Sequence, residues 1–205
     1  MAHLTPHAHE LLARQHGTVS VEQLLATGLS LREVRHLQRS GDLELALRGA
    51  YRTPSAPVTE VSRCAAVCLA RPDVAIAGPT AGRLWGLRRL PVDRRIHVIA
   101  PRASQPAAAR WVVPYRTDAR HDCDVIDRTD GIRVTSRART ALDLARWLDP
   151  DDLLSVIEQV VHDGRLSDDD LLAVAVDWLS PQRPWVRRFL HALDRRLPGG
   201  PAESH

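Results

Sequence analysis

The chain has 205 residues, 44% of them hydrophobic and 26% charged, which fits a soluble globular protein of one or two domains and excludes collagen-like, disulfide-stapled and wholly disordered readings. Its formal net charge of +3 includes 28 basic residues that are all arginine, which most simply reflects a GC-rich coding bias, so only the placement of the arginines is informative. Residues 1–53 sum to +1, residues 54–77 to 0, residues 78–139 to +7 and residues 140–197 to −4, a basic middle against an acidic end.

Three cysteines, Cys64, Cys68 and Cys123, make an odd number, and the first residues hold histidines rather than a secretory apolar run. No stretch approaches the roughly 18 apolar residues that cross a bilayer. The expectation is a cytoplasmic protein without disulfides or membrane contact.

The first 53 residues speak most clearly. Ala8, Leu11 and Leu12 outline a short amphipathic helix ending near Gly17. Ser20 and Gln23 have the spacing of a capping box, in which each side chain satisfies an orphan amide of the helix start. The helix that follows carries Val21, Leu24 and Leu25 and stops at Gly28. Ser30 and Glu33 repeat the pattern and open a third helix, with Leu31, Val34 and Leu37 as its expected apolar face. Two short helices joined by Thr27-Gly28-Leu29 make a helix-turn-helix.

On the outer face of the third helix, Arg32, Arg35, His36 and Arg39 recur at i, i+3, i+4 and i+7, with Gln38 beside them. Arginine and glutamine donate to guanine and adenine edges in the major groove, and arginine also to phosphates. Leu43, Leu45 and Leu47 then alternate with other residues, and Arg48-Gly49-Ala50-Tyr51-Arg52 follows before Pro54. This predicts a β-hairpin whose basic second half, with Arg48, Tyr51 and Arg52, acts as a wing. Arginines on a helix face are also commonly plain solvated surface. A module summing to +1 would need a dimer, or the basic middle, to bind DNA firmly.

Beyond Pro54, Val61, Ala65, Cys68 and Leu69 mark the inner face of a helix, and Cys64 and Cys68 read as small buried thiols rather than a zinc pair. Val74–Ala77 is a strand candidate, Pro79 starts a helix, and Trp85 is a core anchor. Strands are expected at 96–99, 111–113, 125–126 and 132–134, with His97 as a satisfied strand histidine and a loop over 101–110. Helices follow from Ser136, from Asp149-Pro150 with Leu153, Leu154, Ile157, Val160 and Val161, and from Ser167 with Leu171, Leu172, Val174 and Ala175. Acid pairs such as Asp122/Asp124 and Asp151/Asp152 read as composition and helix-start electrostatics. No nucleophile elbow, phosphate loop or clustered-carboxylate site emerges, so no catalytic residue, metal or cofactor is expected.

Several runs in this order and spacing resemble the actinobacterial AbiEi-type antitoxin proteins. They are Arg14-Gln15-His16-Gly17, Leu24-Leu25, Gly28-Leu29-Ser30, Arg48-Gly49-Ala50-Tyr51, Leu84-Trp85-Gly86-Leu87, Ile96-His97-Val98 with Pro101, and Gly131–Thr135 leading into Ala138–Ala145. The resemblance covers about residues 10–165. It implies an N-terminal winged helix-turn-helix that binds an inverted repeat in double-stranded operator DNA, and a second domain that counters a nucleotidyltransferase-like toxin. Arg32, Arg35, His36 and Arg39 would then read the operator, with Arg48, Tyr51 and Arg52 on the wing, while the helix around Arg139 looks structural. Longer relatives continue into a domain similar to very-short-patch-repair endonucleases, so this chain is either a stand-alone regulator or a truncated relative.

The expected architecture is α+β: a winged helix-turn-helix over 1–54, a mixed α/β domain over 55–197 with a small sheet and a helical C-terminal third, and a disordered tail over 198–205. Regulation of its own operon and toxin neutralisation is the leading function. A protein-interaction module using the acidic C-terminal helices, and a remnant of an endonuclease-domain protein, stay open beside it, as does the oligomeric state.

Overall fold

A computed structural model describes residues 3–104, 109–117, 124–163 and 166–196, and shows a mixed α+β chain. Its residues group into two compact units, one of Met1–Ile76, Arg94–His121 and Val125–Val134, the other of Ala77–Asp93, Asp122–Asp124 and Thr135–His205. The first unit therefore runs well past Pro54.

The first unit opens with α1 (Pro6–Arg14), whose Thr5 cap accepts a hydrogen bond from the Ala8 amide at 3.1 Å and which buries Ala8, Leu11 and Leu12. Strand β1 (Thr18–Ser20) follows, then α2 (Val21–Ala26), α3 (Leu31–Ser40), β2 (Glu44–Leu47) and β3 (Ala50–Arg52). The three strands form an antiparallel sheet in the order β1-β3-β2, with Thr18 opposite Arg52 and Glu44 opposite Arg52. The hairpin was expected and β1 was not, because three fully buried residues give no alternating pattern to read. Val19, Leu24, Leu29, Val34, Leu37 and Leu43 join the α1 residues in one core, against which Tyr51 packs.

Helix α4 (Glu60–Ala70) touches all three of these strands and also β4 (Ala75–Ile76) and β5 (Ile96–Ala100). Packed on both sides, it buries Ser62, Cys64, Ala65, Ala66, Val67 and Cys68, not the single stripe expected from Val61, Ala65, Cys68 and Leu69. Small side chains suit a helix enclosed in this way. With β6 (Val112–Arg116), β7 (Val125–Asp127) and β8 (Arg133–Thr135), the later strands form a mixed sheet in the order β6-β5-β4-β8-β7. His97 on β5 is buried and its Nδ1 lies 3.1 Å from the Tyr115 hydroxyl, the satisfied strand histidine that was expected. Burial pushes the Cys68 thiol up to about 12, and its sulfur meets the Arg133 backbone, so it is a packed thiol and not a metal-ready thiolate. Cys123 and Asp122 lie outside the described residues, as do 105–108 of the expected loop and the tail from 197 onward.

The end of α1 is tied into the same unit by Asp130, which takes His16 Nε2 at 3.0 Å and Arg128 Nη2 at 2.7 Å. Burial alone would raise the Asp130 carboxyl, but these hydrogen bonds outweigh it and hold it below the usual range.

The second unit is helical. Around α6 (Arg137–Leu144) stand α5 (Gly78–Leu84), α7 (Pro150–His162), α8 (Asp168–Asp177) and α9 (Pro184–Arg196). Every residue of α6 from Ala138 to Leu144 is buried, including Arg139. Arg139 donates to Asp124 at 2.9 Å and to Asp143 at 3.0 Å and lies 3.5 Å from the centre of the Trp178 ring. That is the structural role expected of this helix, and it assigns Asp124 to an ion pair. Trp85 is half-buried and donates to the Thr135 carbonyl at 2.9 Å. In α7 the buried face is Leu153, Val156, Ile157 and Val160, and in α8 only Leu171 and Ala175 are buried, with Leu172 exposed. Asp151 and Asp152 pair with Arg195 and Arg89, each at 3.2 Å. Among the described residues no helix is long and apolar enough to cross a membrane.

Candidate nucleic-acid interface

Both helix starts of the helix-turn-helix close as the sequence implies. Ser20 and Gln23 form a complete capping box on α2, and Ser30 and Glu33 form one on α3. The Glu33 carboxylate accepts the Ser30 amide at 2.8 Å and the Ser30 hydroxyl at 2.7 Å, and these bonds hold its pKa below the usual range. The only acid of α3 is thus folded back onto the helix start. Gly41, in the left-handed region at φ +84°, ends the helix and turns the chain toward β2.

Between these ends, Arg32, Arg35, His36, Gln38 and Arg39 are all exposed, while Val34 and Leu37 face the core. The structure therefore brings the five polar residues onto one solvent face without a carboxylate among them. Arg39 Nε bends back to the Arg35 carbonyl at 3.2 Å.

Two apolar expectations change. Leu31 is 51% exposed and Leu25 is 38% exposed, while Leu29 in the turn between the helices is buried in the core. Leu31 thus joins the outer face beside Arg32 and Arg35. Its i, i+3 spacing from Val34 hid this; the leucine two residues earlier was the available signal.

The hairpin differs more from its expected part. Its turn is the two residues Arg48 and Gly49, and Gly49 lies 3.5 Å from the Ala70 carbonyl, measured from where its Cβ would stand. The tip is therefore seated on the end of α4. Arg48 is exposed, but Tyr51 packs against the core. Arg52 bridges to Glu44 across the strands and donates to the Ala56 carbonyl at 3.2 Å. Of the three wing residues named from sequence, Tyr51 and Arg52 hold the hairpin together and Arg48 alone stands open. Leu45, at the sheet edge, is 56% exposed although it continues the alternation, since the register slips between Leu45 and Leu47. Among the described residues no group of three or more His, Cys, Asp or Glu side chains is placed to hold a metal ion.

The chain is similar in structure to the RV2827C protein from Mycobacterium tuberculosis, with 19% identity, a TM-score of 0.58, and coverage of 92% of this chain and 75% of that one. At that identity the likeness is one of fold. No curated protein matches in sequence. Residues 9–54, the span from α1 through β3, match the family described as "Transcriptional regulator, AbiEi antitoxin". Over that span the chain is similar to the transcriptional-regulator family of AbiEi antitoxins.

Proposed function

We propose that this protein is a non-catalytic DNA-binding regulator that acts on an inverted repeat in the promoter of its own operon. The observation that carries the reading is the capped helix α3, whose exposed face holds Arg32, Arg35, His36, Gln38 and Arg39 within the span matching the regulator family. Arginine forks and the glutamine amide reach base edges in the major groove, and Arg48 at the hairpin turn adds a backbone contact. An inverted repeat calls for two copies of the module, one to each half-site. Replacing Arg35 and Arg39 with alanine is expected to abolish the gel shift of the upstream region without changing Tm. Retained binding would remove α3 as the reading helix.

The second part of the proposal is neutralisation of a cognate nucleotidyltransferase-like toxin by the acidic helical unit. It is favoured by the outer face of α8 and the residues after it, where Leu172, Val176 and Leu179 are exposed beside Asp169 and Asp177.

A further inference from the structure

The helix-turn-helix region sums to only +1 over residues 1–53, and affinity for DNA grows with the number of phosphates neutralised. The compact unit that contains it carries a second basic surface. The Arg63 guanidinium, on α4, lies 5.7 Å from the centre of the Trp111 ring. Trp111 stands at the entrance to β6, where its carbonyl accepts the Ile96 amide at 2.7 Å. The segments leading into the parallel strands β5 and β6 therefore run side by side, with Ile96 opposite Val112. Arg94 and Arg110, both exposed, precede these strands and so reach the same end of the sheet. A groove of about 160 Å³ opens beside the cluster, between β2 and α4, with Leu45, Val58, Arg63 and Trp111 in its wall and no carboxylate among its lining residues.

We infer that Arg63, beside Trp111, together with Arg94 and Arg110 at the same end of the sheet, is a second DNA-contact surface that grips the sugar-phosphate backbone of the duplex read by α3. The inference rests on the reading of the chain as a DNA-binding protein. Arginine offers a planar fork of donors suited to phosphate oxygens, and a wall free of carboxylates favours an anion. Leu45 and Val58, 56% and 54% exposed, give the deoxyribose rings an apolar bed. The groove lies against the small sheet of the helix-turn-helix region, since Leu45 and Ala46 in its wall belong to β2, the strand that follows α3 in the chain. Contacts of this kind position a duplex and add affinity without selecting a sequence. An acidic protein is the competing occupant.

The test uses the full chain and a duplex recovered by the wild-type protein from a random-sequence library, with a scrambled duplex beside it, followed by fluorescence anisotropy over a salt series. The R63A/R94A/R110A variant is expected to bind both duplexes more weakly by the same factor. Its plot of log affinity against log salt should be shallower by about 0.9 for each phosphate that is no longer neutralised. R94A/R110A, which spares the Arg63–Trp111 packing, should shift in the same direction if the triple variant is less stable. R35A/R39A should instead erase the preference for the selected duplex. Wild-type affinity and salt slope in both patch variants would overturn the second surface while leaving α3 as the reader. Recovery of no duplex by the wild-type chain would overturn both.

Discussion

Arg139 is 1% exposed and pairs with both buried carboxylates, Asp124 and Asp143, so its removal takes a shared cation from the two of them. Burial already pushes the Asp143 carboxyl above its ordinary range, against the pull of Arg139 and Arg146. Breaking a buried pair by deleting one partner costs about 3–5 kcal/mol, so Arg139→Met is expected to lower the denaturant midpoint by that equivalent. A loss under about 1 kcal/mol would show that the carboxylates are relieved some other way. The sequence signalled this residue, since an arginine between apolar turns calls for a carboxylate. It did not signal that Arg52 would bind Glu44 and Ala56, or that Leu29 would lie in the core while Leu31 faces out. Those outcomes depend on which neighbour arrives across the fold.

The helix starts were legible because a cap is a contact between residues three apart. Ser20, Ser30 and Ser167 all cap as their spacing implies, and the Asp149 side chain accepts the Asp151 and Asp152 amides at the start of α7. Removing a serine cap costs about 1 kcal/mol. Ser30→Ala and Ser167→Ala are thus expected to lower the urea midpoint by similar amounts, while only Ser30→Ala weakens DNA binding, because it loosens the first turn of α3. Equal effects of the two on binding would deny α3 its special place. Less legible were β1, with no periodicity to show, α4, whose burial on both sides removes the contrast between faces, and α9, which has no acid in its first turn to mark its start. Each lacks the local signal that a cap or a one-sided stripe supplies.

At the scale of the whole molecule, the sequence is basic over residues 78–139 (+7) and acidic over residues 140–197 (−4). The acidic helices, with the exposed Leu172, Val176 and Leu179, suit a protein partner better than a polyanion. The product of a neighbouring gene should co-purify with the wild-type chain and be lost from Leu172→Glu/Val176→Glu, while the gel shift is unaffected. Unchanged co-purification would remove this face from the partner contact. The arrangement β1-β3-β2 also bears on how the helix-turn-helix segment folds. Pairing of β1 with β3 joins the two ends of a segment whose middle is the helix-turn-helix, so closing that loop costs more entropy than forming either capped helix. The caps of α2 and α3 are thus contacts the chain makes locally, whereas the β1–β3 seam requires its two ends to meet.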